Sequence, residues 1–260
     1  MAERFESGRR AGTRLAGKTA PLQLRRAGDI FSINGGWFQA RWHFSFDQYY
    51  DPENMGVGVL RVFNHDTLIP GVAWPMHPHR NIEGITYVVA GHFEHADSLG
   101  NGGTLEAGGV QRMTLGSGAQ HSERNHSRLE PMQFIQMWIL PSERNLPPAV
   151  EQRQFTPEDR HNRLLQIVRP EGSEGEGVIV HQNAAIYVAF LDPEVGLEHL
   201  CESGRGGYFY LIQGALELNS ERLAGGDAAK ILGTGMIHLR ALETSELILV
   251  DTPLFPEAGR

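Results

Sequence analysis

An all-β fold in two similar halves is what this sequence predicts, and three observations predict it. From Ile30 onward, short β-like segments alternate with Gly, Pro, Asn and Asp, and almost no stretch keeps a helical period. The second half repeats the first in worn form: Tyr87-Val-Val-Ala-Gly91 matches Tyr210-Leu-Ile-Gln-Gly214, and Leu115-Gly-Ser-Gly118 matches Leu232-Gly-Thr-Gly235. With 260 residues, 40% of them apolar, the chain can bury the cores of one large β domain or two ordinary ones.

Composition excludes several functions. The 31 acidic residues outnumber the 23 basic ones, and a net charge of -8 argues against a direct nucleic-acid partner. The longest apolar runs, Ile85 to Ala90 and Leu247 to Val250, fall far short of the roughly 20 residues that cross a bilayer, so no membrane span is expected. One cysteine, Cys201, cannot form an intrachain disulfide; it reads as a small packed residue in a protein of the reducing cytoplasm.

Residues 1–27 hold Arg4, Arg9, Arg10, Arg14, Lys18, Arg25 and Arg26 and lack the apolar core of a secretory signal. A solvated, poorly ordered arm is expected there. The first domain spans 28–140, with strands at Gly58 to Phe63, Ile85 to Val89, His92 to His95, Val110 to Thr114 and Met132 to Leu140. Asp97 to Gly103 has the composition of a hairpin turn. Prolines and charges then mark 141–163 as a linker, where Thr156-Pro157-Glu158-Asp159 signals a short helix. The second domain spans 164–255, ahead of a tail at 256–260, and its clearest strands are Ala185 to Phe190, Tyr208 to Ile212 and Leu247 to Val250.

The stretch from Gly71 to Asn125 carries the chemistry. Successive strand residues point to opposite faces, so His77 and His79 share a face, as do His121 and Glu123. Two such pairs facing each other across a barrel would put three imidazoles and a carboxylate around one point, a mononuclear metal site. Glu83 shares the strand parity of the first pair, so parity alone leaves the choice of carboxylate open. In the second copy, a glycine-anchored alignment puts Leu200 and Glu202 at His77 and His79, His238 at His121 and Arg240 at Glu123. No catalytic metal is expected there.

The pattern Gly71-x5-His77-x-His79-x3-Glu83-x7-Gly91, followed by Gly118-x2-His121-x3-Asn125, resembles the two motifs of the cupin superfamily. His77-Pro-His79-Arg, Glu94-His-x-Asp97-Ser-x-Gly100-Asn, Gly116-Ser-Gly and His121-Ser-Glu123 are similar to those of the pirin family of bicupins over roughly residues 28 to 255. Gly36-Trp37, His43-x-Phe-Ser-Phe46 and Tyr49-Tyr-Asp-Pro52 belong to the same likeness. Asn81-Ile82, Gly84 and Gly109 depart from it without touching a ligand position.

The resemblance implies two packed cupin-type barrels (double-stranded β-helices), with one divalent metal in the N-terminal barrel. The ligands it implies are His77, His79, His121 and Glu123, with Glu83 behind them or at the rim. Iron(II) is the metal it implies, although nickel, manganese, cobalt, copper and zinc tolerate such a set. Family members similar to this chain are quercetin 2,3-dioxygenases, which implies a flat flavonol-like substrate and O2, with Glu123 as ligand and general base. Met113, Phe134 and Gln136 are expected to line the pocket. The other role the family implies is that of an iron-dependent transcriptional co-regulator that binds a protein partner.

Overall fold

The structure is a computed structural model and describes residues 17–255. In chain order the strands are β1 (Leu22–Arg25), β2 (Phe31–Asn34), β3 (Phe38–Trp42), β4 (Leu60–Leu68), β5 (Ala73–His79), β6 (Glu83–Ala90), β7 (His92–Asp97), β8 (Gly102–Glu106), β9 (Gly109–Thr114), β10 (Ala119–Asn125), β11 (Met132–Ile139) and β12 (Ala149–Gln154). A 3-10 turn at Glu158–Arg160 leads to β13 (Leu165–Pro170), β14 (Val178–Val180), β15 (Ala185–Leu191), β16 (Gly196–Cys201), β17 (Arg205–Gln213), β18 (Ala215–Leu218), β19 (Glu221–Ala224), β20 (Ala228–Ile231), β21 (Gly235–Ala241) and β22 (Ser245–Pro253).

Each half is a seven-stranded sheet combined with a four-stranded one. The first barrel orders its strands β12-β9-β6-β11-β4-β3-β2 and β5-β10-β7-β8; the second orders them β1-β20-β17-β22-β15-β13-β14 and β16-β21-β18-β19. The central strands of each large sheet, β6 and β11 in the first and β17 and β22 in the second, are buried along most of their length because both faces are covered. Phe63, Ile85, Tyr87, Ile135 and Met137 point out of the first barrel into one cluster with Ile186, Val188, Tyr208, Tyr210, Ile248 and Val250 of the second. Residues 62, 64, 66, 86, 88, 134 and 136 alternate with the first set and turn toward the barrel interior. That alternation separates the interface between the barrels from the site.

The second barrel is filled. Phe209, Leu211, Leu216, Leu218, Ile237, Leu239, Leu247 and Leu249 form its apolar interior, and Cys201 is buried among them. No helix among the described residues is long and apolar enough to cross a membrane.

Three expectations need correction. Of the arm, residues 1–16 lie outside the described residues, as does the tail at 256–260. Leu22–Arg25 is instead an ordered strand that adds to β20. Its Leu-Gln-Leu-Arg alternation packs Leu22 and Leu24 against the second barrel, a period-two signal that the arginine count obscured.

The stretch expected as a linker contributes β12, which pairs along β9 and completes the first barrel's large sheet. The helix expected beside Pro157 is a single 3-10 turn, in which the Asp159 carboxylate accepts from the backbone N–H of Thr156 at 2.8 Å.

The internal repeat holds, but its register slips by one residue. Gly108 N–H bonds Val88 O, and its counterpart in the second barrel is Gly226 N–H on Leu211 O, not Gly225. Across the paired strands His121 faces His77 and Ala119 faces His79, whereas Leu239 faces Leu197 and Ile237 faces His199. The second barrel therefore has Leu197, His199 and Leu239 where the first has its three histidines. His238 is exposed and its ring pairs with Glu198 at 3.0 Å.

Candidate metal centre

The three predicted histidines converge. Their ligand nitrogens lie within 4.8 Å of one another. His77 and His121 are direct cross-strand partners on β5 and β10, with ring centroids 4.5 Å apart, and the rings of His79 and His121 are 5.2 Å apart. The ladder shifts register between His121 and Glu123, so that Glu123 pairs with Trp74. The extra residue this inserts into β5 falls at Pro75-Met76, and a proline, which has no N–H, is tolerated at such a bulge. The bulge turns the Pro75 carbonyl to within 2.8 Å of His77 Nδ1. If Nδ1 donates there, Nε2 is left as the free ligand atom.

His121 is buried and neither of its ring nitrogens has a hydrogen-bond partner. Burial, with help from His77, lowers its pKa to about 3, and the same causes lower that of His79 to about 4. Close imidazoles, with burial keeping His79 and His121 neutral and both His121 nitrogens free, are what a divalent ion requires, so these residues fit a metal. His95 does not join them: its Nε2 meets Asp97 at 3.2 Å and its Nδ1 meets Gln111 at 3.3 Å.

Glu123 is buried beside the cluster, its Oε1 3.5 Å from His121 Nε2 and its Oε2 without a partner. It is not one of the three side chains whose ligand atoms are mutually close. Burial pushes its carboxyl up to about 8, and Asp66 nearby adds to the rise. Glu83 is fully buried, accepts a hydrogen bond from Thr114 at 3.0 Å and does not line the cavity, so it is not a rim residue.

The imidazoles open onto a cavity of about 970 Å³ in the first barrel. Six aromatic side chains line it, Phe38, Trp42, Phe46, Trp74, Phe134 and Trp138, together with polar ones that include Ser45, Asp47, Gln48 and Arg61. Trp138 packs edge-on to His79 at 4.7 Å and to Phe46 at 5.4 Å, tying wall to centre. Phe134 and Gln136 line the cavity as expected. Met113 does not; it is buried with Leu115 and Ala119. Sequence reasoning missed Asn64 and Asp66, which also line the cavity. Two polar residues at the same parity as the apolar Val62 and Leu68 in β4 were the available signal.

Comparison with known proteins supports this picture. The family model described as Pirin matches residues 24–139, and the one described as Quercetinase C-terminal cupin domain matches residues 166–252. A pirin-like protein of Caulobacter vibrioides is 37% identical over 218 residues, covering 83% of this chain and 93% of that one. A quercetin 2,3-dioxygenase of Escherichia coli strain K12 is 34% identical over 233 residues, covering 89% and 99%. Among solved structures, the bacterial pirin YhhW of Escherichia coli in complex with nickel(II) superposes with a TM-score of 0.84 at 33% identity, covering 90% of this chain and all of its own.

Proposed function

This chain belongs to the pirin family, and on that premise we propose that it is a mononuclear-metal oxygenase that opens the central ring of a flavonol with O2. One observation carries the reading: three imidazoles whose ligand nitrogens lie within 4.8 Å of one another meet at the wall of a cavity lined by six further aromatic side chains. Such a cavity accepts a flat aromatic molecule and brings its edge to the ligands.

His77, His79, His121 and Glu123 are the residues proposed to hold the ion, and iron(II) is the ion proposed. A divalent ion bound there supplies Lewis acidity toward a hydroxyl and a path for electrons to O2. Everything else falls to the protein. Glu123, buried beside the imidazoles with its Oε1 3.5 Å from His121 Nε2, is positioned to take the proton of the flavonol 3-hydroxyl when its carboxyl is ionised. Trp42, Trp74 and Trp138 clamp the ring system and keep bulk water from the reacting edge.

Iron-loaded protein given quercetin in air is expected to consume one O2 per flavonol and to release one carbon monoxide, with both oxygen atoms of O2 retained in the ring-opened ester. Absence of O2 uptake with quercetin and several other flavonols would reject the reading and leave the family's role as a metal-dependent protein partner.

A further inference from the structure

On β4, at the wall of the same cavity, two acceptors have no partner in the protein. Asn64 Oδ1 and Asp66 Oδ1 are both buried without a hydrogen bond. They stand two residues apart on β4, so both side chains enter the cavity from the same face of the sheet. Their cross-strand neighbours on β11 are Gln136, opposite Asn64, and Phe134, opposite Asp66. The Oε1 of Gln136 already accepts from the Thr86 hydroxyl at 2.9 Å, which leaves its amide nitrogen as the free end. Asn64, Asp66 and Gln136 thus set a polar strip beside the Phe134 ring on the cavity wall.

Burying an acceptor without a partner costs about 1–3 kcal/mol, and such groups are rare in folded proteins unless something binds them. A ligand that only filled the aromatic space would strip solvent from both acceptors and leave them unpaired. One that brought phenolic hydroxyls to β4 would satisfy them.

We infer that Asn64 and Asp66 are specificity-determining residues that select aromatic substrates bearing several hydroxyls over those bearing one. This rests on the reading that the cavity admits a flavonol. Neither residue is assigned a catalytic role: each binds a donor on the substrate. A site built to receive hydroxyls discriminates far more strongly against analogues lacking them than a purely apolar pocket does.

The test compares quercetin with 3-hydroxyflavone, which keeps the flavonol edge but has a single hydroxyl. Dissociation constants are measured without turnover, on zinc-loaded protein under nitrogen, by quenching of tryptophan fluorescence. The native protein is expected to bind quercetin at least about tenfold more tightly. In the Asn64→Leu/Asp66→Leu variant the ratio should fall to near one, with the 3-hydroxyflavone constant changed by no more than about threefold. Thermal unfolding checks that this variant folds; if it does not, Asn64→Leu alone must carry a measurable part of the shift.

A ratio near one in the native protein, or an unchanged ratio in the variants, overturns the inference while leaving the oxygenase reading intact. Quercetin that binds selectively but is not consumed by iron-loaded protein defeats the oxygenase reading and leaves the inference standing. Failure of the native protein to bind either flavonol overturns both.

Discussion

His121 stands directly opposite His77 on neighbouring strands, ring against ring at 4.5 Å, and neither nitrogen of His121 is hydrogen-bonded. As part of a core, that arrangement costs stability, since buried imidazole nitrogens want partners. As part of a metal centre, it is ready-made. On the proposed metal-binding reading, the four-stranded sheet gives up stability at β5 and β10 to preorganise ligands, and the second barrel, with Leu239 facing Leu197 in the same register, does not.

The first expectation follows from that contrast. His121→Ala should lower bound metal, read by elemental analysis, to less than about a tenth of native. It should cost the metal-free protein no more than about 1 kcal/mol in urea unfolding, because no hydrogen bond is lost. His95→Ala should behave in the opposite way. It breaks bonds to Asp97 and Gln111, so it should destabilise the fold while leaving the metal content near native.

Much of this centre was legible in the sequence because its geometry is local. Strand parity alone places His77 with His79 and His121 with Glu123, and the structure keeps both pairs on inward faces. What parity could not supply was anything set by pairing between distant strands. The bulge at Pro75-Met76 depends on β10. Met113 was expected in the pocket because its strand adjoins it, yet the side chain packs with Leu115 and Ala119. Asp66 and Asn64 matter only because β11 and β10 close the barrel around them. Leu22–Arg25 was misread for the same reason: a four-residue strand is specified by the edge of β20 more than by its own composition.

Trp138 links wall and ligand, since its ring meets both His79 and Phe46. Trp138→Ala should leave the metal stoichiometry unchanged and weaken flavonol binding by about ten- to a hundredfold, the scale of losing one large aromatic contact. Titration of zinc-loaded protein with quercetin measures it. A variant that also loses its metal would show that the indole positions His79 rather than the substrate.

Where the barrels meet, Arg160 donates to both Tyr87 on the first and Glu246 on the second, and the Tyr87 hydroxyl donates to Glu246 at 2.9 Å. All three residues are buried. Removing one member of a buried ion pair strands the other, so Glu246→Ala should cost about 3–5 kcal/mol. Tyr87→Phe removes only a hydrogen bond and should cost about 1–2 kcal/mol. Both are read by urea denaturation, and equal losses would mean that the charge pair is not what holds the barrels together.

The dependence on pH tests the carboxyls. Burial raises Glu123 and Asp66 each to about 8, while His121 and His79 are lowered to about 3 and 4. At pH 7 the metal-free site therefore carries protons on its acids and not on those two imidazoles. An incoming cation must displace a carboxyl proton, so metal affinity should rise with pH from about 6 to 8, by up to about tenfold per unit for each proton released, and level off above. Glu123→Gln should flatten that slope; an unchanged slope would mean that its carboxyl does not exchange its proton for the ion. Stability of the metal-free protein should run the other way. Both acids titrate near 4 when unfolded and near 8 when folded, so between those values the folded state holds more protons and stability falls as pH rises. Bound metal, by favouring the ionised carboxylate, should turn that decline into a gain over the same window, and thermal unfolding with and without the ion at pH 5 and pH 8 reads the change of sign.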